Sequence, residues 1–179
     1  EVVDLRYDRQ IIIDGFGEDG QKKLSKAKVL VVGVGGLGCP ALTYLTQAGV
    51  GHISFIDSDT VSESNLNRQF LHFEKDVGRK KVDSAFEKLR ALNSQIELNP
   101  LDLYLNRDNA FDIVKEYDIV LSCLDNIETR MLINEVCLEQ GIPVVNGGIQ
   151  GYYGFVLVAD RKGSCLECIG YQNTKMVHP

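Results

Sequence analysis

No apolar run in the 179 residues is long enough to cross a bilayer. The opening stretch, EVVDLRYDRQ, lacks the basic-then-apolar layout of a secretory leader. Positive charge is in the minority, with 19 Lys and Arg against 25 Asp and Glu and a formal net charge of -6. That balance argues against broad binding to nucleic acid or to a membrane surface, while leaving room for a local basic pocket. There is no internal repeat and no low-complexity segment. Cysteine is present five times, as Cys39, Cys123, Cys137, Cys165 and Cys168, and the odd count argues against a complete disulfide framework. The expectation is a soluble, cytoplasmic protein.

With 44% hydrophobic residues, the chain can build one domain with a real core. KVLVV (28–32) reads as a buried strand, followed at once by the glycine-rich GVGGLG (33–38) and a helical period that stops at Gly49. HISFID (52–57) is a second strand. Lys80 to Asn93 reads as a helix with Val82, Ala85, Phe86 and Leu89 on one face. IELNPL is a third strand, Asp108 to Glu116 a helix, DIVLSC (118–123) a fourth strand. A helix ending at Gly141, a fifth strand in IPVVNGG and a sixth over Tyr152 to Asp160 complete the pattern. Alternating strands and helices predict an α/β fold, Rossmann-like and doubly wound, with a mostly parallel sheet covered on both faces. The expected organisation is one domain over residues 1–160 and a tail over 161–179.

In such sheets ligands bind beyond the carboxyl ends of the strands, and polar residues crowd there in this sequence. Gly33, Gly35 and Gly38 have G-x-G-x-x-G spacing between a strand and a helix, which lets backbone N–H groups approach a phosphate. The motif alone does not choose among NAD, FAD and ATP. Asp57, at the end of the second strand, suits ribose hydroxyls, and Asp59 either joins it or caps the next turn. Arg68 and Lys81 supply more positive charge than a pyrophosphate diester needs, with Asn65 and Asn67 as neutral donors, whereas Lys80 reads as a solvated surface cation. Asp125 is placed to hold magnesium, and it or Asn126 could instead cap the following helix. The combined set points to ATP with magnesium rather than a redox dinucleotide. An NAD-binding oxidoreductase gives Arg68, Lys81 and Asp125 no joint purpose. Cys165 and Cys168 form one C-x-x-C, open to zinc, a redox pair or two packed thiols.

RYDRQI, VLVVGVGGLGCP, GVGHISFIDSDTVSESNLNRQF, VGRKKV, CLDN and CLEC occur in one order along the chain. On these motifs the chain resembles the MoeB/ThiF/HesA adenylyltransferases and, more distantly, the adenylation domain of ubiquitin-activating enzymes. The resemblance implies ATP-dependent adenylation of the C-terminal glycine carboxylate of a small ubiquitin-like sulfur-carrier protein ending in Gly-Gly, with release of pyrophosphate. It implies that Gly36 lies in the nucleotide loop and Asp57 binds ribose. Asn65, Arg68 and Lys81 contact nucleotide and phosphates. Asp125 holds magnesium, with Asn126 beside it. Arg9 matches an arginine that reaches the site of the neighbouring subunit, so a homodimer is implied. The resemblance favours zinc at Cys165 and Cys168, but the family's second C-x-x-C has no counterpart here. The C-terminal part of the family fold is therefore expected to be missing and the zinc site half complete. The same scaffold could activate another carboxylate or a modified tRNA base.

Overall fold

A strand that is apolar on both sides must be covered on both sides, and KVLVV is such a strand. In the computed structural model, which describes residues 5–171, it lies inside a six-stranded sheet. The strands are β1 (Lys28–Val32), β2 (His52–Ile56), β3 (Glu97–Leu101), β4 (Ile119–Ser122), β5 (Val144–Gln150) and β6 (Tyr153–Ala159), in the order β3-β2-β1-β4-β5-β6. The helices are α1 (Asp8–Ile11), α2 (Gly17–Lys26), α3 (Gly38–Ala48), α4 (Lys81–Leu92), α5 (Ala110–Val114) and α6 (Ile127–Gln140). β1 to β5 run parallel, as the alternating pattern requires.

Side chains alternate across β1 and build two cores. Val29 and Val31 join Ile53 and Phe55 against Leu42 of α3 and Val82, Ala85 and Leu89 of α4. Leu30 and Val32 join Ile56, Val120 and Val144 against Val114 of α5 and Ile133 and Cys137 of α6. Each fully buried aliphatic side chain contributes on the order of 1.5–3 kcal/mol, so these layers hold the strand ends in place. α3 and α6 end at Gly49 (φ 81°) and Gly141 (φ 74°), where the left-handed cap favours glycine.

One detail departs from the sequence reading, and a second adds to it. The helix expected over 108–116 shortens to Ala110–Val114, because Asn106 Oδ1 accepts the N–H groups of Asp108 and Asn109 and holds a turn there. The last strand, β6, runs antiparallel to β5. Only Gly151 and Tyr152 separate the paired residues Gln150 and Tyr153, and Gly151 takes φ 59°. A two-residue connection with glycine first makes a tight hairpin, whereas a parallel crossover needs about a dozen residues.

Residues 161–171 fold back along α6. Arg161 Nε donates to the Leu138 carbonyl at 3.0 Å, Leu166 N–H donates to Asn134 Oδ1 at 3.3 Å, and the Tyr171 ring lies 5.4 Å from that of Phe155. Residues 1–4 and 172–179, the outer ends of the expected domain and tail, lie outside the described residues. Among the described residues no helix is long and apolar enough to cross a membrane.

Candidate nucleotide site

β1 sits where the strand order reverses, with β2 on one side and β4 on the other, so its carboxyl end opens a crevice. The glycine loop leaves β1 at this point. Gly33 takes φ 98°, and a Cβ there would stand 2.7 Å from the Cys123 carbonyl oxygen. A Cβ on Gly38 would fall 1.9 Å from the Gly33 carbonyl oxygen, so α3 can start this close to the strand only with glycine. Gly35 and Gly36 are not crowded in that way. Gly36 is exposed and faces the stem of Arg68, whose Cγ would lie 3.6 Å from an added Cβ. At the start of α3 the Cys39 N–H is taken by the Gly35 carbonyl at 2.9 Å and the Ala41 N–H by the Leu37 carbonyl at 3.3 Å, and Pro40 has none.

The side chains from the other strand ends converge here. Asp57 follows β2 and accepts the Val34 N–H on Oδ2 at 2.8 Å and the Asp59 N–H on Oδ1 at 2.9 Å. Asp59 accepts the Lys81 ammonium at 2.8 Å, and the Lys81 side chain is nearly buried while Asp59 is open to solvent. Arg68 Nη1 donates to the Ser64 carbonyl and to Asn67 Oδ1, both at 3.0 Å, which steadies the exposed guanidinium over Gly36. Asn65 Oδ1 accepts the Ser62 N–H at 3.1 Å and closes the turn that carries Arg68. Lys80 pairs with Asp102 at 3.1 Å and donates to the Ser58 carbonyl at 3.1 Å, a surface tie.

Past β4, Leu124 lies against Gly33 and Asp125 is exposed. Asn126 takes the cap of α6, accepting the Thr129 N–H at 2.8 Å, so Asp125 is spared that duty. No motif marks Arg130, which anchors this turn from below. It is 1% exposed, donates from Nη1 to the Gly147 carbonyl at 2.6 Å and from Nη2 to the Leu124 carbonyl, and lies 5.8 Å from the Phe155 ring and 5.6 Å from that of Tyr171. Gln69 is a second missed residue. It is 4% exposed, its side chain reaches Gly35, and its Oε1 has no partner among the described residues.

Arg9 is not in this crevice. It sits on α1, whose Gln10 donates to the Ala48 carbonyl at the far end of α3. The 11 residues of α3 place that end about 16 Å from the glycine loop.

Burial pushes the Cys39 and Cys123 thiols up to about 11 and Cys137 up to about 12, so all three are protonated core groups at neutral pH. Cys165 and Cys168 have sulfurs 3.5 Å apart, with Cys165 buried and Cys168 exposed. Two ligands of one tetrahedral zinc stand about 3.8 Å apart, so this spacing suits a shared metal. A structural zinc takes four ligands, and among the described residues no group of three or more His, Cys, Asp or Glu is placed to hold a metal ion.

The ThiF family model matches this chain over residues 7–178. The chain belongs to the ThiF family. This ThiF-family chain is 48% identical over 165 residues to the adenylyltransferase and sulfurtransferase MOCS3 of Culex quinquefasciatus, covering 92% of itself and 38% of that protein. It is 40% identical over 164 residues to the SAMP-activating enzyme E1 of Haloferax volcanii, covering 92% of itself and 61% of that enzyme. Its fold superposes on E. coli MccB with ATP at a TM-score of 0.77 and 30% identity, covering 86% of this chain and 47% of that one. The chain thus spans 38 to 61% of the length of these relatives, less than two thirds in each case.

Proposed function

We propose that this chain is the ATP-binding adenylation unit of an enzyme that activates the C-terminal glycine carboxylate of a small ubiquitin-like sulfur-carrier protein, releasing pyrophosphate. The observation that carries the reading is convergence. What supports it is that the glycine loop, Asp57 and Asp125 follow the carboxyl ends of β1, β2 and β4, that Asp57 holds the loop at Val34 and Arg68 lies beside Gly36, and that Lys81 pairs with Asp59, in a family whose similar members include an adenylyltransferase and an E1.

The residue types suit this reaction. A carboxylate nucleophile is already ionised, so no general base is required. The difficulty is electrostatic, because one anion must approach the α-phosphorus of another. The loop N–H groups and Arg68 hold phosphate oxygens, and Lys81 adds a fixed charge from a nearly buried stem. Asp57 accepts from the ribose while its backbone bonds keep the carboxylate still. Magnesium, when bound, neutralises phosphate charge. Asp125 is the residue that would hold it, since magnesium retains waters and commonly takes one or two carboxylates beside a nucleotide. Positions 1–160 form the adenylation unit in this reading, and the tail beyond them braces it.

Arg9, too far from its own crevice, would serve the site of a second copy in a homodimer, as an arginine finger does. Zinc at Cys165 and Cys168 would need two further ligands from outside the described residues, and no step depends on it.

ATP–pyrophosphate exchange tests the reading, run with and without a β-grasp carrier ending in Gly-Gly. Exchange that requires the carrier supports it. Exchange with a short peptide alone moves the substrate class, and NAD affinity without ATP affinity overturns the assignment. Arg9→Ala protein mixed with Arg68→Ala protein should regain part of the activity, because one heterodimer site is rebuilt intact. No recovery at any mixing ratio removes the shared-site proposal.

A further inference from the structure

His72 is 3% exposed and has no part in the chemistry above. It lies beneath the glycine loop, with Nε2 3.1 Å from the Val34 carbonyl oxygen and Nδ1 2.9 Å from Ser84 Oγ. A carbonyl only accepts, so the ring proton is on Nε2 and Nδ1 must accept from Ser84. Ser84 Oγ also accepts a hydrogen bond from Lys88 Nζ at 3.0 Å, which leaves its own hydrogen to donate, and that ammonium also pairs with the buried Asp76. With the ring neutral and its proton on Nε2, the bonds run from Lys88 to Ser84, from Ser84 to His72 and from His72 to Val34. The Cys39 thiol, a weak donor, also reaches the Val34 oxygen at 3.7 Å.

The consequence lies in the next bond. The Val34 carbonyl and the Gly35 N–H belong to one planar trans peptide and point in opposite directions. Holding the carbonyl inward on His72 turns the Gly35 N–H outward, to the side where Gly35 is half-buried and Gly36 exposed. Val34 N–H is meanwhile held by Asp57 at 2.8 Å. Glycine permits a wide range of backbone angles, so without these two grips the Val34–Gly35 peptide could rotate and aim its carbonyl at a phosphate.

We propose that His72 is a positioning residue for the nucleotide loop: neutral and protonated on Nε2, it locks the Val34–Gly35 peptide with the Gly35 N–H facing the phosphates. This rests on the ATP reading above. The charged groups facing the ring are Lys81 and Lys88 from α4 and Asp76 from the turn before it. Burial first, then the two lysine charges, hold the ring below the usual histidine range, against the pull of the Val34 carbonyl and Asp76.

The test compares wild type, His72→Leu and His72→Gln by MgATP calorimetry and thermal unfolding. A glutamine Nε2 can donate where the ring Nε2 does, and leucine cannot. Folded His72→Leu should bind MgATP about tenfold or more weakly, and His72→Gln should recover most of the loss. A merely structural histidine would lower the melting temperature and leave the affinity of the folded protein unchanged, and that result overturns the proposal, as does a His72→Gln variant no better than leucine. If His72→Leu does not fold, His72→Met, which also lacks a donor, takes its place, and MgATP affinity equal to wild type is the negative result. Wild-type protein that binds no MgATP overturns the ATP reading and this inference with it, whereas wild-type binding with an indifferent His72→Leu overturns this inference alone.

Discussion

Lys81 Nζ lies 2.8 Å from Asp59 Oδ2, the lysine side chain 8% exposed and the aspartate 68%. The exposed acid thus holds an almost buried cation at the mouth of the nucleotide crevice. Replacing Lys81 by Met keeps the stem and removes the charge. The expected result is MgATP binding weaker by about one to two orders of magnitude, with little change in unfolding temperature. Asp59→Ala should cost only about 0.5–1 kcal/mol of stability, because water screens its side of the pair. Calorimetry and urea denaturation separate the two effects. A Lys81→Met protein that binds MgATP normally removes the lysine from the site.

The loop glycines should divide into two kinds. Gly33→Ala and Gly38→Ala force a Cβ onto carbonyl oxygens at 2.7 and 1.9 Å and should each cost more than about 3 kcal/mol. An alanine at Gly35 meets only Gln69, at 3.6 Å, and should cost under about 1 kcal/mol. Urea denaturation checks all three, and a stable Gly38→Ala protein would show that α3 does not start where it is placed here.

Asp76 is 0% exposed, takes the Lys88 ammonium and the Arg79 guanidinium, and accepts the Phe73 N–H at 2.9 Å. Burial alone would raise its pKa; Lys88 and the Phe73 N–H outweigh it and hold the carboxyl well below the usual range. The unfolded chain therefore binds the proton more readily than the folded one, and stability rises with pH. The contribution is complete above about pH 4 and is lost as pH falls below it towards the depressed folded value. Asp76→Asn should cost about 3–5 kcal/mol at pH 7 and flatten the acid limb of a stability profile. An unchanged limb would mean that other carboxylates govern acid unfolding.

Thiol labelling should follow burial. Native protein at pH 8 should react with a bulky disulfide reagent at Cys168 and then Cys165, leaving Cys39, Cys123 and Cys137 unmodified until urea is added. Mass spectrometry of the labelled peptides reads this directly, and rapid native labelling of Cys137 contradicts its place in the core.

Arg130→Met leaves the Leu124 and Gly147 carbonyls without their donor, at a cost of about 2–4 kcal/mol. Because Leu124 precedes Asp125, the magnesium concentration needed for half-maximal exchange should also rise several-fold. Unchanged magnesium dependence in a folded variant would confine Arg130 to a packing role.

Strands and glycine turns were legible because burial and backbone geometry leave a local mark. KVLVV is apolar on both sides, and Gly33, Gly49 and Gly141 stand where φ is positive. Asp57 and Asp125 stood out as candidates by their places just after β2 and β4, and Arg68 and Lys81 by the positive charge they add. His72, Gln69 and Arg130 escaped notice because their function depends on partners distant in sequence. His72 reaches back 38 residues to Val34, and Arg130 reaches 17 ahead to Gly147. The direction of β6 turned on a single glycine in a two-residue loop, which a reading built on strand periodicity passes over.

Because Tyr171 and Phe155 flank the guanidinium that grips Leu124, the return segment and the reversed strand act as a splint on the turn bearing Asp125. Whatever docks on that segment, or pulls it away, would be transmitted as slack or tension to the one exposed carboxylate in the β4–α6 turn, so the magnesium binding proposed for Asp125 would be open to tuning from the back of the molecule without any change in the crevice itself.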